Sequence, residues 1–160
     1  MSAPKFIPHV LGVAALALFA ASASAQQRPE YGTAVTVDQA KKIAGAVVAE
    51  CQSNKWNVAV AVVDTAGNLV YFERIENTQT ASMEIAIMKA RAAATYRRPT
   101  RVFADVIAKS GPAIMTLPGV VASPGGLPLM VGGKVTGGVG VSGVTGDQDE
   151  QCAKAGLSAM

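Results

Sequence analysis

An α/β or α+β sandwich, one antiparallel sheet with helices packed against it, is the fold class this sequence predicts, and three observations predict it. Two helix starts carry capping-box residues, two pairs of apolar runs are each joined by turn chemistry, and these signals follow in the order helix, hairpin, helices, hairpin, helix without a repeat or linker between them.

The first 25 residues read as a targeting segment. Lys5 supplies a positive start, Val10 to Ala21 is an apolar stretch, and Ala23-Ser24-Ala25 is a small-residue cleavage site. The apolar stretch is short of the about 20 residues a membrane span needs, so cleavage would leave a soluble chain without a membrane span, in the periplasm or secreted. Residues 26–160 then form a single domain, long enough to bury a core. Of 14 basic side chains only Lys5 goes with the leader, so 13 remain against 11 acidic ones, a net charge of +2. That balance and the few aromatics argue against nucleic acid as a partner. The sole histidine, His9, also lies in the leader, so metal or acid–base chemistry must be built from other groups.

Thr36-Val37-Asp38-Gln39 is the first capping box, and Ala40, Ile43, Ala44, Val47, Val48 and Cys51 recur as one buried stripe of a helix to about Asn54. Val58 to Val63 is an unbroken apolar run, read as a central strand covered on both faces. After the turn residues Asp64 to Asn68, Leu69 to Ile75 alternates, which puts Val70, Phe72 and Arg74 on one face. Thr80 to Tyr96 has no Gly or Pro and predicts a second helix; Pro99-Thr100 breaks it and starts a short third helix to about Lys109. Gly132-Gly133 joins strands at Leu127–Val131 and Lys134–Val141. Thr145-Gly146-Asp147-Gln148, the second capping box, opens a last helix carrying Cys152, Ala153, Gly156 and Leu157 on one side. The two cysteines in an exported chain read first as a disulfide, with two buried thiols as the alternative.

Several groups could carry chemistry. The glycine-rich stretches Gly125-Gly126-Leu127-Pro128 and Gly137 to Gly143 either make tight strand packing or present backbone N–H groups to an anion; their spacing fits neither a Walker loop nor the dinucleotide fingerprint. Asp147, Asp149 and Glu150 suit the start of a helix as capping charges and lack the ligand number of a calcium site. Ser142 has no histidine to activate it. Arg74 and Lys89 are cations among apolar neighbours, able to hold the acidic groups of an amphipathic ligand or to serve as ordinary structural side chains. Met83, Met88, Met115, Met130, Tyr71 and Tyr96 are of the types that can meet haem iron, although methionine is more often core filling.

Taken in order, Val60-Ala61-Val62-Val63-Asp64-x-x-Gly67, Arg74, Ala86-x-x-Lys89-Ala90, Pro99-Thr100, Gly125-Gly126-Leu127-Pro128, Gly137-x-x-Gly140-Val141-Ser142-Gly143 and Asp149-Glu150 resemble the GlcG/HbpS haem-binding family, also called the haem-degrading domain family. The resemblance spans nearly all of residues 26–160. It implies a profilin-like fold with a five-stranded, mainly antiparallel sheet, assembly into homo-oligomers and, in some members, binding of haem or a related tetrapyrrole outside the cytoplasm. With the first and last helices side by side, Cys51 and Cys152 would come within about 7 Å, the reach of a disulfide. The expected function is an exported binding protein for haem or a tetrapyrrole without histidine ligation, with Arg74 or Lys89 on the propionates and Gly125, Gly126 and Ser142 in the site. No catalytic residue is assigned. The alternative is an oligomeric accessory protein, or an enzyme acting on a small anionic metabolite near the glycine-rich loops.

Overall fold

A computed structural model describes residues 28–160, and the leader expected over residues 1–25 lies outside them. Helix α1 (Val37–Ser53) starts on the predicted box: Thr36 Oγ1 accepts from the Gln39 N–H at 3.3 Å and the Gln39 side chain accepts from the Thr36 N–H at 2.9 Å. Strands β1 (Ala59–Val63) and β2 (Leu69–Arg74) form the first hairpin. Helices α2 (Ser82–Tyr96) and α3 (Arg101–Ser110) and a 3-10 turn (Pro112–Thr116) follow. Strands β3 (Gly126–Val131) and β4 (Lys134–Ser142) are joined through Gly132 and Gly133, both at positive φ (56° and 77°), the conformation that a two-residue hairpin turn of this hand requires. Helix α4 (Gly146–Leu157) repeats the capping box with Thr145 and Gln148. Among the described residues no helix is long and apolar enough to cross a membrane.

The sheet has four strands in the order β2-β1-β4-β3, with all neighbours antiparallel. This corrects the five-strand expectation in detail. What would be a fifth strand is a single parallel bridge between Tyr31 and Val135, in the slot beyond the end of β1, where Val63 pairs with Gly138. Gly32 N–H reaches the Val135 carbonyl and Val35 N–H the Thr136 carbonyl, each at 2.8 Å, and the chain then turns into the cap of α1 before a ladder can grow.

Period-two alternation sorts β1 between two cores. Val58, Val60 and Val62, with Val139, Val141, Leu127 and Leu129, pack under Ile43 and Val47 of α1 and Ala153 of α4. Ala59, Ala61 and Val63 face Ala86, Ala90 and Ala94 of α2. The second face is made of small residues so that α2 can sit almost on the sheet backbone: a Cβ on Gly140 would overlap the Ala86 carbonyl oxygen, and one on Gly138 would overlap that of Ala90. Phe72 follows the predicted face but Val70 does not. The register shifts between Val62 and Val63, so Val70 is the extra residue of a bulge and packs with the α1-side core. Cys51 and Cys152 are joined in a fully buried disulfide between α1 and α4, with Cα atoms 5.6 Å apart.

Candidate functional site

Four of the five residues expected at a ligand are brought together, and the structure turns them inward. Lys89 lies on the same stripe of α2 as Ala86 and Ala90, so it too points at the sheet and is 1% exposed. Its Nζ donates to the Val141 carbonyl at 3.0 Å and to Asp149 Oδ2 at 2.8 Å, while Asp149 Oδ1 accepts from the Val144 N–H at 3.2 Å. Burial pushes the Asp149 carboxyl above its ordinary range, against the hydrogen bond and charge of Lys89. Gly125, at φ 116°, and Gly126 pass so close to this pair that no side chain fits: a Cβ on Gly125 would stand 2.8 Å from the Asp149 Cβ, and one on Gly126 would overlap the Lys89 carbonyl. Gly126 is held from its other side, donating its N–H to Thr100 Oγ1 at 3.0 Å. Ser142 is buried and donates to Ser82 Oγ at 3.2 Å.

Outside this pair the acidic start of α4 meets a second cation. Arg101 Nε bonds Glu150 Oε2 at 2.7 Å and its Nη2 bonds Asp147 Oδ1 at 2.5 Å; Lys154 closes on Glu150 from the next turn at 2.9 Å. The hydrogen bonds to Asp147 and Glu150 hold the Arg101 guanidinium above its ordinary pKa. The whole array ties α2, α3 and α4 to the β3 and β4 ends and leaves none of its buried polar atoms without a partner. Its geometry is that of a structural ion-pair network. Among the described residues no group of three or more His, Cys, Asp and Glu side chains could hold a metal.

Arg74 stands apart, exposed at the end of β2 with Nη1 3.7 Å from the Met83 sulfur. Tyr71 donates to Glu73 at 3.2 Å and Tyr96 to the Pro118 carbonyl at 2.6 Å.

A hollow large enough for a ligand lies elsewhere, between the start of α1, the β3–β4 hairpin and the last residues of the chain. It encloses about 540 Å³, within the roughly 300–1,000 Å³ of small-molecule sites. Val35, Ile43, Val131 and Met160 give it apolar walls, and Lys42 and Lys134 bring two cations. Lys134 also pairs with Glu30 at 3.2 Å, both side chains being more than half exposed. Sequence reasoning missed these residues. The available signals were a lysine next to the buried stripe of α1 and another directly after the Gly132-Gly133 turn. None of the methionines and tyrosines considered as haem ligands, Met83, Met88, Met115, Met130, Tyr71 or Tyr96, lines this cavity.

Residues 35–158 match the family described as haem degrading protein, HbpS-like. The chain belongs to that family. Within it, GlcG of Escherichia coli K12 is 36% identical over 106 residues, 64% of this chain and 79% of GlcG. The crystal structure of a doubly substituted HbpS from Streptomyces reticuli superposes with a TM-score of 0.75 at 32% identity, covering 96% of this chain and 99% of that one. A PduOC–haem complex superposes at 0.73 with 26% identity, covering 80% and 96%. The matched span, residues 35–158, contains the buried Lys89–Asp149 pair and the Gly125–Gly126 contacts.

Proposed function

We propose that the chain is exported to the periplasm or beyond, loses its first 25 residues, assembles as a homo-oligomer and binds haem or a related tetrapyrrole without histidine ligation, in the cavity between α1 and the β3–β4 hairpin. The observation that carries the reading is that cavity: apolar walls for a flat ring and two lysines for its carboxylates, in a chain whose relatives include a structure with haem bound. Lys42 and Lys134 would hold the propionates, and Val35, Ile43 and Val131 would cover the ring. Bound haem would supply its characteristic absorbance. The lone histidine of the sequence, His9, leaves with the leader.

A haemin titration of the purified protein tests the reading. Saturation near one ring per subunit or a simple fraction of that is expected. Lys42→Ala or Lys134→Ala should each weaken binding by up to about fivefold, the worth of one exposed ion pair, since both lysines are exposed. Arg74→Ala, outside the cavity wall, should leave affinity unchanged. Absorbance that rises linearly without saturating, and ignores every one of these substitutions, would overturn the proposal.

A further inference from the structure

We infer that this cavity selects its ligand by two carboxylates and a flat apolar surface and not by the metal, so that metal-free porphyrins are ligands on equal terms with haem. The inference rests on the tetrapyrrole reading above and specifies the ligand class of the same site.

The donor set in the wall is the reason. Iron in a porphyrin is held by imidazole, thiolate, thioether or phenolate. Among the described residues the cavity offers no histidine, cysteine, tyrosine or carboxylate side chain. The two thiols that could have served are spent in the Cys51–Cys152 disulfide, fully buried between α1 and α4. What the wall presents is ammonium groups, threonine hydroxyls, the Gln39 amide and one thioether, Met160, which is 44% exposed. Charged ammonium groups repel a metal cation and attract carboxylates, and a thioether alone is a weak partner for ferric iron. Recognition energy therefore has to come from the ring faces and the propionates.

The cations are placed to supply it. Lys42 forms no ion pair among the described residues, and Lys134 is engaged only by the exposed Glu30. An exposed pair of that kind is worth about 0–1 kcal/mol, so a ligand carboxylate can displace it. Two lysines on one cavity favour a dianion over a monoanion or a neutral ester, because each carboxylate removed gives up one charge-assisted contact to a lysine.

The test compares three ligands on the same purified protein: haemin by absorbance, and metal-free protoporphyrin and its dimethyl ester by porphyrin fluorescence. The expected result is that haemin and protoporphyrin bind within about threefold of each other while the dimethyl ester binds at least about tenfold more weakly. In the double variant Lys42→Gln/Lys134→Gln the difference between free acid and ester should disappear, an effect that general loosening of the fold would not produce. Haemin binding at least about tenfold tighter than protoporphyrin would overturn metal indifference and leave the haem-binding reading standing. Equal binding of acid and ester by the unsubstituted protein would overturn the carboxylate argument. Saturation by none of the three would sink the tetrapyrrole reading itself, and this inference with it.

Discussion

Replacing Lys89 by methionine separates a structural lysine from a ligand-binding one. Methionine keeps the length and apolar stem but removes the ammonium, leaving the Asp149 carboxylate buried with the backbone N–H groups of Val144 and Gly143 as hydrogen-bond donors. Removing one partner of a buried pair costs about 3–5 kcal/mol, a large share of the roughly 5–15 kcal/mol by which domains are stable. The pH dependence gives the sharper signature. Burial already holds the folded-state pKa of Asp149 above its ordinary value of 3.8 and loss of Lys89 should raise it further, so between the two values the folded variant binds the extra proton. Stability then falls as pH rises through that window, at up to about 1.4 kcal/mol per unit, and returns as pH falls below it. Urea unfolding at pH 7 and at pH 4, followed by the fluorescence of the single tryptophan, Trp56, half-buried against the α1-side core, measures both effects. Lys89→Met/Asp149→Leu should recover all but about 1–3 kcal/mol, since the Val141 carbonyl and the Val144 N–H still lose their partner. A Lys89→Met protein within about 1 kcal/mol of the parent at pH 7, or one whose deficit does not shrink in acid, would refute the assignment of the pair as buried and structural.

Three other outcomes follow from packing and local geometry. The pair substitution Cys51→Ala/Cys152→Ala opens a loop of sequence separation 101, for which chain entropy predicts a loss of about 4.7 kcal/mol, read as a lower urea midpoint. Gly140→Ala should cost about 1–3 kcal/mol or more by forcing α2 off the sheet, whereas Gly45→Ala, in α1 with nothing within 4 Å of the new Cβ, should gain about 0.5–1 kcal/mol; equal melting temperatures would contradict the close approach. Burial raises the Asp64 pKa, but the Asn68 side chain and the backbone N–H groups of Asn68, Ala66 and Gly67 lower it further, for a net value below 3.8. Its contribution is therefore present above that pH and lost as pH falls through the folded value, so Asp64→Asn should flatten the acid end of the stability profile.

Most of the fold was legible because local rules and tertiary packing agree along this chain. Both capping boxes, the Gly132-Gly133 turn and the α1 stripe through Cys51 appear where the residues predict them. Failures occur where one residue breaks a period. Alternation from Leu69 onward cannot see the bulge opposite Val62 and Val63, so Val70 is assigned to the wrong face. The residues themselves indicate four strands and the fifth comes with the family resemblance; residues 31–36 pair with β4 through only a few hydrogen bonds before Thr36 caps α1. Lys89 was more legible than it was read to be. Ala86, Lys89 and Ala90 fall at i, i+3 and i+4 on one helix face, and a lysine in a stripe of alanines facing a sheet of glycines must either snorkel out or find a buried acid. The geometry supplies Asp149, from a helix start whose acids were read as capping charges.

The cavity was not legible, and the reason is physical. Its walls come from the segment before α1, the first turns of α1, the tip of the β3–β4 hairpin and the last residues of the chain, so no window of contiguous sequence contains it. Periodicity reports which face of an element is buried; it does not report where two buried faces end and leave a gap. Lys42, one position before the buried Ile43, looks like any solvated lysine on an amphipathic helix, and Lys134 like any charge beside a hairpin turn. They acquire meaning only when the bridge at Tyr31–Val135 brings the start of α1 to the hairpin. That bridge also makes the site vulnerable at a residue that does not line it. The Tyr31 hydroxyl donates to the Thr95 carbonyl at 2.9 Å, and Arg97 lies over the ring at 5.1 Å from its centre. Tyr31→Ala should therefore loosen the Gly32–Thr36 wall of the cavity and weaken haemin binding in the titration above; unchanged affinity would show that the wall does not depend on this anchor.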